Sequence, residues 1–206
     1  MKIKKFIIGM VSTNCYVLQN EQTKECLIID PAASSSELMS YIESEGLAPQ
    51  AILLTHGHFD HIMGVDTIKK QYDIPVYAGE MERELLEDAS KNLSSAYGIF
   101  YELKEVNYVV DGQVLELAGF SIQSIYTPGH TIGGCCYYIQ ERGVLFSGDT
   151  LFCNSIGRTD LPTGSMSALV KSIKEKLFTL PDDTIVYPGH MEETTIAYEK
   201  ENNPFL

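Results

Sequence analysis

The segment Thr55-His56-Gly57-His58-Phe59-Asp60-His61 places three imidazoles and a carboxylate within a few positions of one another. His56 and His58 are two residues apart, so in an extended stretch they project to the same side. Asp60 and His61 fall where the apolar run Ala51–Leu54 has ended and a helical pattern begins, and they can turn back toward the same space. Gly57 permits an unusual backbone turn between the two histidines. Burying so many polar groups without a partner is costly, and one or two divalent metal ions supply that partner.

The chain has five histidines, and the remaining two are His130, in Thr127-Pro128-Gly129-His130-Thr131, and His190, in Tyr187-Pro188-Gly189-His190. Each follows an apolar run and a Pro-Gly turn, where a strand end delivers a side chain to the rim of a sheet. No histidine is left for the surface, which chance does not explain. Asp149, in Phe146-Ser147-Gly148-Asp149-Thr150, ends the run Val144–Phe146. Alone it would read as a turn residue or helix cap. Beside five ligand-like histidines it reads as a bridge between two metals.

The pattern HxHxDH, then Gly-His, Gly-Asp and a last Gly-His, resembles the metallo-β-lactamase superfamily over essentially the whole chain. That resemblance implies an α/β fold: an αββα four-layer sandwich of two mixed β-sheets flanked by helices, with metals in a cleft at one edge. It implies that His56, His58 and His130 hold one metal, that Asp60, His61 and His190 hold a second, and that Asp149 bridges them. Asp30, in Ile29-Asp30-Pro31, matches a family aspartate expected to orient a ligand rather than bind the metal.

True β-lactamases of the family usually lack a ligand at the place of His61 and use a cysteine where this chain has Asp149. The nucleic-acid-processing branch carries an added domain for which this sequence has no room. The strings Ser147-Gly148-Asp149-Thr150-Leu151-Phe152 and Ile156-Gly157-Arg158-Thr159-Asp160-Leu161-Pro162 resemble the glyoxalase II (hydroxyacylglutathione hydrolase) branch instead. So do Thr13-Asn14-Cys15-Tyr16 and the tail with Thr194-Thr195, Glu199 and Asn203-Pro204-Phe205. Two-domain glyoxalase II enzymes continue into a helical domain that supplies basic residues for glutathione. Here the expectation is a single domain over residues 1–206 without that module, which leaves the thiol carrier open. Arg158 is the local candidate for an anionic substrate contact; an ion pair with Asp160 is an equal alternative.

The resemblance implies a metal-dependent thioester hydrolase acting on S-acyl thiols such as S-lactoylglutathione. Two metals sharing a water would depress its pKa from about 16 toward neutrality and give a bridging hydroxide, which Asp60 and Asp149 could orient. Zinc is the expected metal, with iron or manganese compatible with the same ligands. The main alternative is a mononuclear-iron persulfide dioxygenase using His56, His130 and Asp149 or a related subset, since the Gly-Arg-Thr-Asp string also occurs in that branch. The third is a metal-binding protein without catalysis.

These residues need strands and helices to hold them. Strand-length apolar runs are Ile3–Ile8, Tyr16–Leu18, Cys26–Ile29, Ala51–Leu54, Val76–Ala78, Phe120–Tyr126, Cys136–Ile139, Val144–Phe146 and Thr184–Tyr187. Helical patterns cover Ser36–Ser44, Ile62–Tyr72, a charged and half-exposed Glu80–Asp88, and Thr195–Asn202. A helix capped by Ser165 carries Met166, Leu169, Val170, Ile173, Leu177 and Phe178 as a core-packing stripe, and Pro181 closes it.

Bulk properties fit this reading. The 206 residues carry a net charge of −13, which disfavours phosphate backbones, so nucleic acid is not an expected partner. The opening MKIKKFIIGM has too short an apolar stretch for a secretory signal, and no run is long enough to span a membrane. Five irregularly spaced cysteines suit a reducing, cytoplasmic setting and read as small buried hydrophobes. Adjacent Cys135 and Cys136 should face opposite sides of a strand. The expected partner is a small-molecule thioester; the sequence leaves the oligomeric state open.

Overall fold

Neighbouring side chains on a strand point to opposite faces. Here both faces are apolar, so the strands need cover on two sides. The computed structural model, which describes residues 1–206, provides it with two six-stranded sheets packed face to face and helices outside. The first sheet runs in order β1 (Lys2–Ile8), β2 (Thr13–Gln19), β3 (Glu25–Ile29), β4 (Ala48–Leu53), β5 (Val76–Gly79) and β6 (Asn107–Val109). Pairing is antiparallel from β1 to β3 and parallel from β3 to β6, with Ile29 opposite Leu53.

The second sheet contains β7 (Val114–Leu117), β8 (Phe120–Tyr126), β9 (Cys135–Ile139) and β10 (Val144–Gly148). After a small hairpin, β11 (Leu151–Phe152) and β12 (Ser155–Ile156), it is completed by β13 (Ile185–Pro188) and β14 (Thr194–Thr195). Its spatial order is β14-β13-β10-β9-β8-β7, with β10 and β13 parallel and the other pairs antiparallel. The helices are α1 (Ser36–Ser44), α2 (Phe59–Ile62), α3 (Val65–Tyr72), α4 (Arg83–Leu86), α5 (Met166–Glu175) and α6 (Ile196–Asn202).

Between the sheets, Tyr16, Leu27, Ile29 and Leu53 meet Ile122, Tyr137, Ile139 and Phe146. Val17, Ile28 and Ile52 pack outward on Leu38 and Ile42 of α1 and Val65 and Ile68 of α3. On the far side, Cys136, Tyr138 and Leu145 meet Leu169 and Ile173 of α5 and Ile196 of α6. This is the expected αββα sandwich. Cys135 lies between the sheets and Cys136 under α5, as the alternation requires. Leu169, Ile173 and Leu177 are fully buried, each stabilising by about 1.5–3 kcal/mol relative to exposure. Ser165 caps α5 by accepting the Ala168 N–H.

Several local expectations differ from the structure. Strands β6 and β7 fall at the start of a stretch, about Tyr108 to Phe146, that reads as mostly strands, but neither forms an apolar run, being three and four residues long with exposed positions. The helical pattern over Ile62–Tyr72 is broken at Met63-Gly64 into α2 and α3. There Gly64 N–H donates to Pro31 O at 2.7 Å, and a side chain at 64 would strike the backbone of Ala33. The segment Glu80–Asp88 begins as a 3₁₀ turn over Glu80–Glu82, with Glu82 fully buried rather than half-exposed. The α5 helix ends at Glu175, and Leu177–Thr179 form a 3₁₀ turn. Four cysteines are buried and Cys153 is half-buried. No helix is long and apolar enough to cross a membrane.

Candidate metal centre

The carboxyl ends of β3, β4, β8, β10 and β13 meet at one edge of the sandwich, and each releases a polar residue there. Asp30 follows β3, the 55–61 segment follows β4, His130 follows β8, Asp149 follows β10 and His190 follows β13. Strand ends are rigid, so side chains leaving them are held with little conformational freedom. His58 stays extended while Asp60 and His61 lie in the single turn of α2, so all three face one space.

Candidate donor atoms fall into three groups, each within 4.8 Å: His56, His58 and His130; Asp60, His61 and His190; and His56, His61 and Asp149. The carboxylate of Asp149 lies between the first two. Its Oδ1 is 3.4 Å from His61 Nε2, and its Oδ2 is 3.6 Å from His130 Nε2 and 3.5 Å from His190 Nε2. Asp60 Oδ2 is 3.4 Å from His190 Nε2. All seven residues singled out by sequence therefore converge.

Hydrogen bonds on the outer side of the rings decide which nitrogens face inward. His61 Nδ1 donates to Asp30 Oδ2 at 2.9 Å and His130 Nδ1 to the Arg158 carbonyl at 2.7 Å. Thr55 Oγ1 donates to Asp30 Oδ2 at 2.6 Å and so can accept from His56 Nδ1 at 3.2 Å. Each contact places the ring proton outward and turns the Nε2 lone pair inward. His58 instead brings Nδ1 to 2.9 Å from His130 Nε2.

Thr13-Asn14-Cys15-Tyr16 explains itself as a clamp. Thr13 Oγ1 donates to Asp60 Oδ2 at 3.2 Å, while Asn14 Nδ2 and the Tyr16 hydroxyl donate to the Pro188 carbonyl before His190. Thr55, Thr13 and Glu82 are neighbours of the site that sequence reasoning did not assign. A threonine or glutamate alone gives no pattern.

His56 Nε2, His58 Nε2, His61 Nε2 and Asp149 Oδ1 are buried without a hydrogen-bond partner. Leaving such groups unsatisfied costs about 1–3 kcal/mol each, so four clustered together mark a place for ligands. Imidazole nitrogens with carboxylate oxygens suit zinc, iron or manganese. The residues fit two divalent ions.

Electrostatics agree. Burial, reinforced by neighbouring imidazoles, holds His56 well below its ordinary range and His58 down to about 3. Burial would also lower His61, but Asp60, Asp149 and Asp30 outweigh it and raise it well above its ordinary value. Burial alone would raise Asp149, yet His61, His130 and His190 hold it well below the usual carboxylate range. Without metal the site thus keeps ionised carboxylates beside neutral His56 and His58, while the carboxylates favour a second proton on His61 and His190 that a metal would displace.

A cavity of about 360 Å³ opens over these groups. Its apolar wall includes Val11, Phe59, Tyr97, Phe152, Ile156 and Met191, and its floor includes His58, Asp60, His130, Asp149 and His190. Phe59 and Tyr97 pack with ring centroids 4.6 Å apart. Arg158 lies at this cavity, but its guanidinium is doubly bonded to Asp160, both contacts at 2.8 Å, and both side chains are exposed.

A family model described as the metallo-beta-lactamase superfamily matches residues 8–190. The probable metallo-hydrolase YqgX of Bacillus subtilis is 41% identical, over 100% of this chain and 98% of its own length. Hydroxyacylglutathione hydrolase GloC of Haemophilus influenzae is 34% identical, over 100% of this chain and 98% of its own. Among solved structures, BLEG-1 B3 metallo-beta-lactamase has a TM-score of 0.94 at 42% identity, covering 100% of this chain and 99% of that one. TTHA1623 in a di-iron-bound form has a TM-score of 0.88 at 35% identity, covering 98% of this chain and 100% of that one.

Proposed function

This chain belongs to the metallo-β-lactamase superfamily of metallo-hydrolases, and within it we propose that it is a thioesterase with two metal ions. The observation that carries the reading is the pair of donor groups, His56–His58–His130 and Asp60–His61–His190, with Asp149 between them. The di-iron form of TTHA1623 supports double occupancy, and the likeness to GloC supports an S-acyl thiol as substrate. Zinc, iron and manganese all suit the donors.

When bound, divalent ions supply a Lewis acid for a carbonyl oxygen and a water ionised near neutrality. The chain's own residues do the positioning. Asp149 and Asp60 stay ionised and accept hydrogen bonds, so they can fix a water between the two groups. Thr13 holds Asp60, and Asp30 with Thr55 holds the outer, Nδ1 sides of the His61 and His56 rings. The apolar wall around Phe59 and Tyr97 takes the organic part of the substrate and limits water access.

The leaving group favours a thioester. A thiol ionises near pH 8.5, so its thiolate departs without a proton donor. An amine must be protonated as it leaves, and the cavity floor presents carboxylates held ionised together with histidines assigned to the metals. A second reading, β-lactam hydrolysis, is favoured by the 42% identity to BLEG-1. Arg158 is proposed to meet an anionic part of the substrate by exchanging Asp160 for it.

The test combines metal content with an assay panel. About two ions per chain and hydrolysis of S-lactoylglutathione or another thioester are expected, in keeping with two-metal hydrolytic sites. One iron per chain with oxygen uptake on adding a persulfide would replace this reading by an oxygenase. Turnover of a β-lactam in preference to every thioester would select the second reading.

A further inference from the structure

Glu82 belongs to none of the donor groups, yet it is completely buried. It closes the 3₁₀ turn that follows β5, and no cation forms an ion pair with it. A buried carboxylate in that state persists only where hydrogen bonds compensate its lost hydration. Two backbone amides do so: Gly57 N–H donates to Oε2 at 2.7 Å and Gly133 N–H to Oε1 at 2.8 Å. Bonds to a charged acceptor are worth about 1.5–3 kcal/mol each.

The two amides occupy special places. Gly57 stands between His56 and His58, and Gly133 stands in the loop that carries His130 from β8 to β9. One carboxylate therefore ties together the two backbone segments that deliver the whole His56–His58–His130 group. Glycine is needed at both contacts. A Cβ on Gly57 would lie 3.0 Å from Glu82 Oε2 and 3.0 Å from Leu85 Cβ, and one on Gly133 would strike the backbone of Met81 and Glu82. The turn is seated directly on both loops, and the site's interior nitrogens stay unpartnered above it.

We propose that Glu82 is a positioning residue that sets the spacing of His56 and His58 against His130 before metal arrives. The inference rests on the reading that this group holds a metal. Asp30, by contrast, contacts a ligand of the other group directly, at His61 Nδ1, and reaches His56 only through Thr55. Glu82→Gln keeps the shape, but its amide turns an N–H toward one backbone N–H and breaks one of the two ties. Residues that orient metal ligands typically account for about 10–100-fold in metal affinity.

The experiment is competition of zinc against a chromogenic chelator, resolving two binding steps in wild type, Glu82→Gln and Asp30→Asn, with thermal unfolding of each metal-free protein. Glu82→Gln should weaken one step by about 10–100-fold and leave the other in place, and Asp30→Asn should weaken most the step that Glu82→Gln leaves in place. A variant that is only less stable would lose melting temperature without separating the steps. Should Glu82→Gln not fold, hydrogen exchange on metal-free wild type gives the answer. The Gly57 and Gly133 amides should be as protected as the core strands. Unchanged affinity at both steps in a folded Glu82→Gln, equal weakening of both, or fast exchange at Gly57 and Gly133 would overturn the proposal. Wild type that binds no metal would instead overturn the thioesterase reading, and protected Gly57 and Gly133 amides would still leave Glu82 as a pre-formed clamp.

Discussion

Asp30 Oδ2 lies 2.9 Å from His61 Nδ1, and the same carboxylate accepts the Thr55 backbone N–H at 2.8 Å and the Thr55 hydroxyl at 2.6 Å. One acid thus fixes a ring proton on His61 and anchors the start of the segment that carries His56. Asp30 has φ 49°, a left-handed conformation that asparagine tolerates. Asp30→Asn therefore changes the acceptor and leaves the backbone unstrained. The expected outcome is about 10–100-fold weaker binding of the metal at Asp60–His61–His190, read by metal titration. Unchanged affinity would mean that His61 is oriented by packing alone.

Metal removal should destabilise the fold, because His56, His58, His61 and Asp149 bury atoms that nothing else satisfies. At free metal about one hundred times Kd, one bound ion contributes about 2.7 kcal/mol. For a chain of this size that is roughly 5–10 °C in Tm per ion. Calorimetry with and without a chelator measures it, and an unchanged Tm would argue against metal binding by the native state.

The sandwich and the convergence of the candidate donor residues are legible for different reasons. Apolar runs such as Cys26–Ile29 and Val144–Phe146 are nearly continuous because both faces of each strand are covered, and such runs stand out in any sequence. The histidines are few and all fall in segments that follow strands, so their absence elsewhere is itself a signal. Glu82 was hidden for the opposite reason. It sits in Glu80-Met81-Glu82-Arg83-Glu84, where local charge suggests a solvated helix face, and only tertiary folding reveals that Gly57 and Gly133 turn their amides toward it. The break at Gly64 was hidden likewise, because its cause is the carbonyl of Pro31, distant in sequence.

The Phe59–Tyr97 contact forms part of the cavity wall, and neither ring belongs to a donor group. Removing the Tyr97 ring should weaken ground state and transition state alike, which raises KM with kcat nearly unchanged. An aromatic contact worth about 0.5–1.5 kcal/mol corresponds to roughly a two- to twelve-fold increase in KM for Tyr97→Ala. Steady-state kinetics on the best thioester decide this. A fall in kcat with KM constant would place Tyr97 in the reacting geometry instead.

Acid should destabilise the metal-free protein, and His58 offers a way to isolate the cause. Burial holds its imidazole at about 3 and keeps His56 well below its ordinary value, whereas an unfolded histidine takes a proton near about 6.5. Between those values the unfolded state binds more protons than the native state, so stability rises with pH across that window. His61 has the opposite sign: its raised value gives stability that is complete below about pH 6.5 and is lost as pH rises through its native value. It therefore adds no slope on the acid side. Asp60 and Asp149 are held low, so their contribution is intact above the ordinary carboxylate range, about pH 4, and is lost only in stronger acid. Urea unfolding of metal-free protein from pH 7 down to pH 5 should show falling stability. Replacing His58 by Gln should flatten the slope by up to about 1.4 kcal/mol per pH unit. If the slope of His58→Gln matched wild type, the native His58 would be taking up its proton as readily as the unfolded one, and the picture of a neutral, inward-facing imidazole would fail.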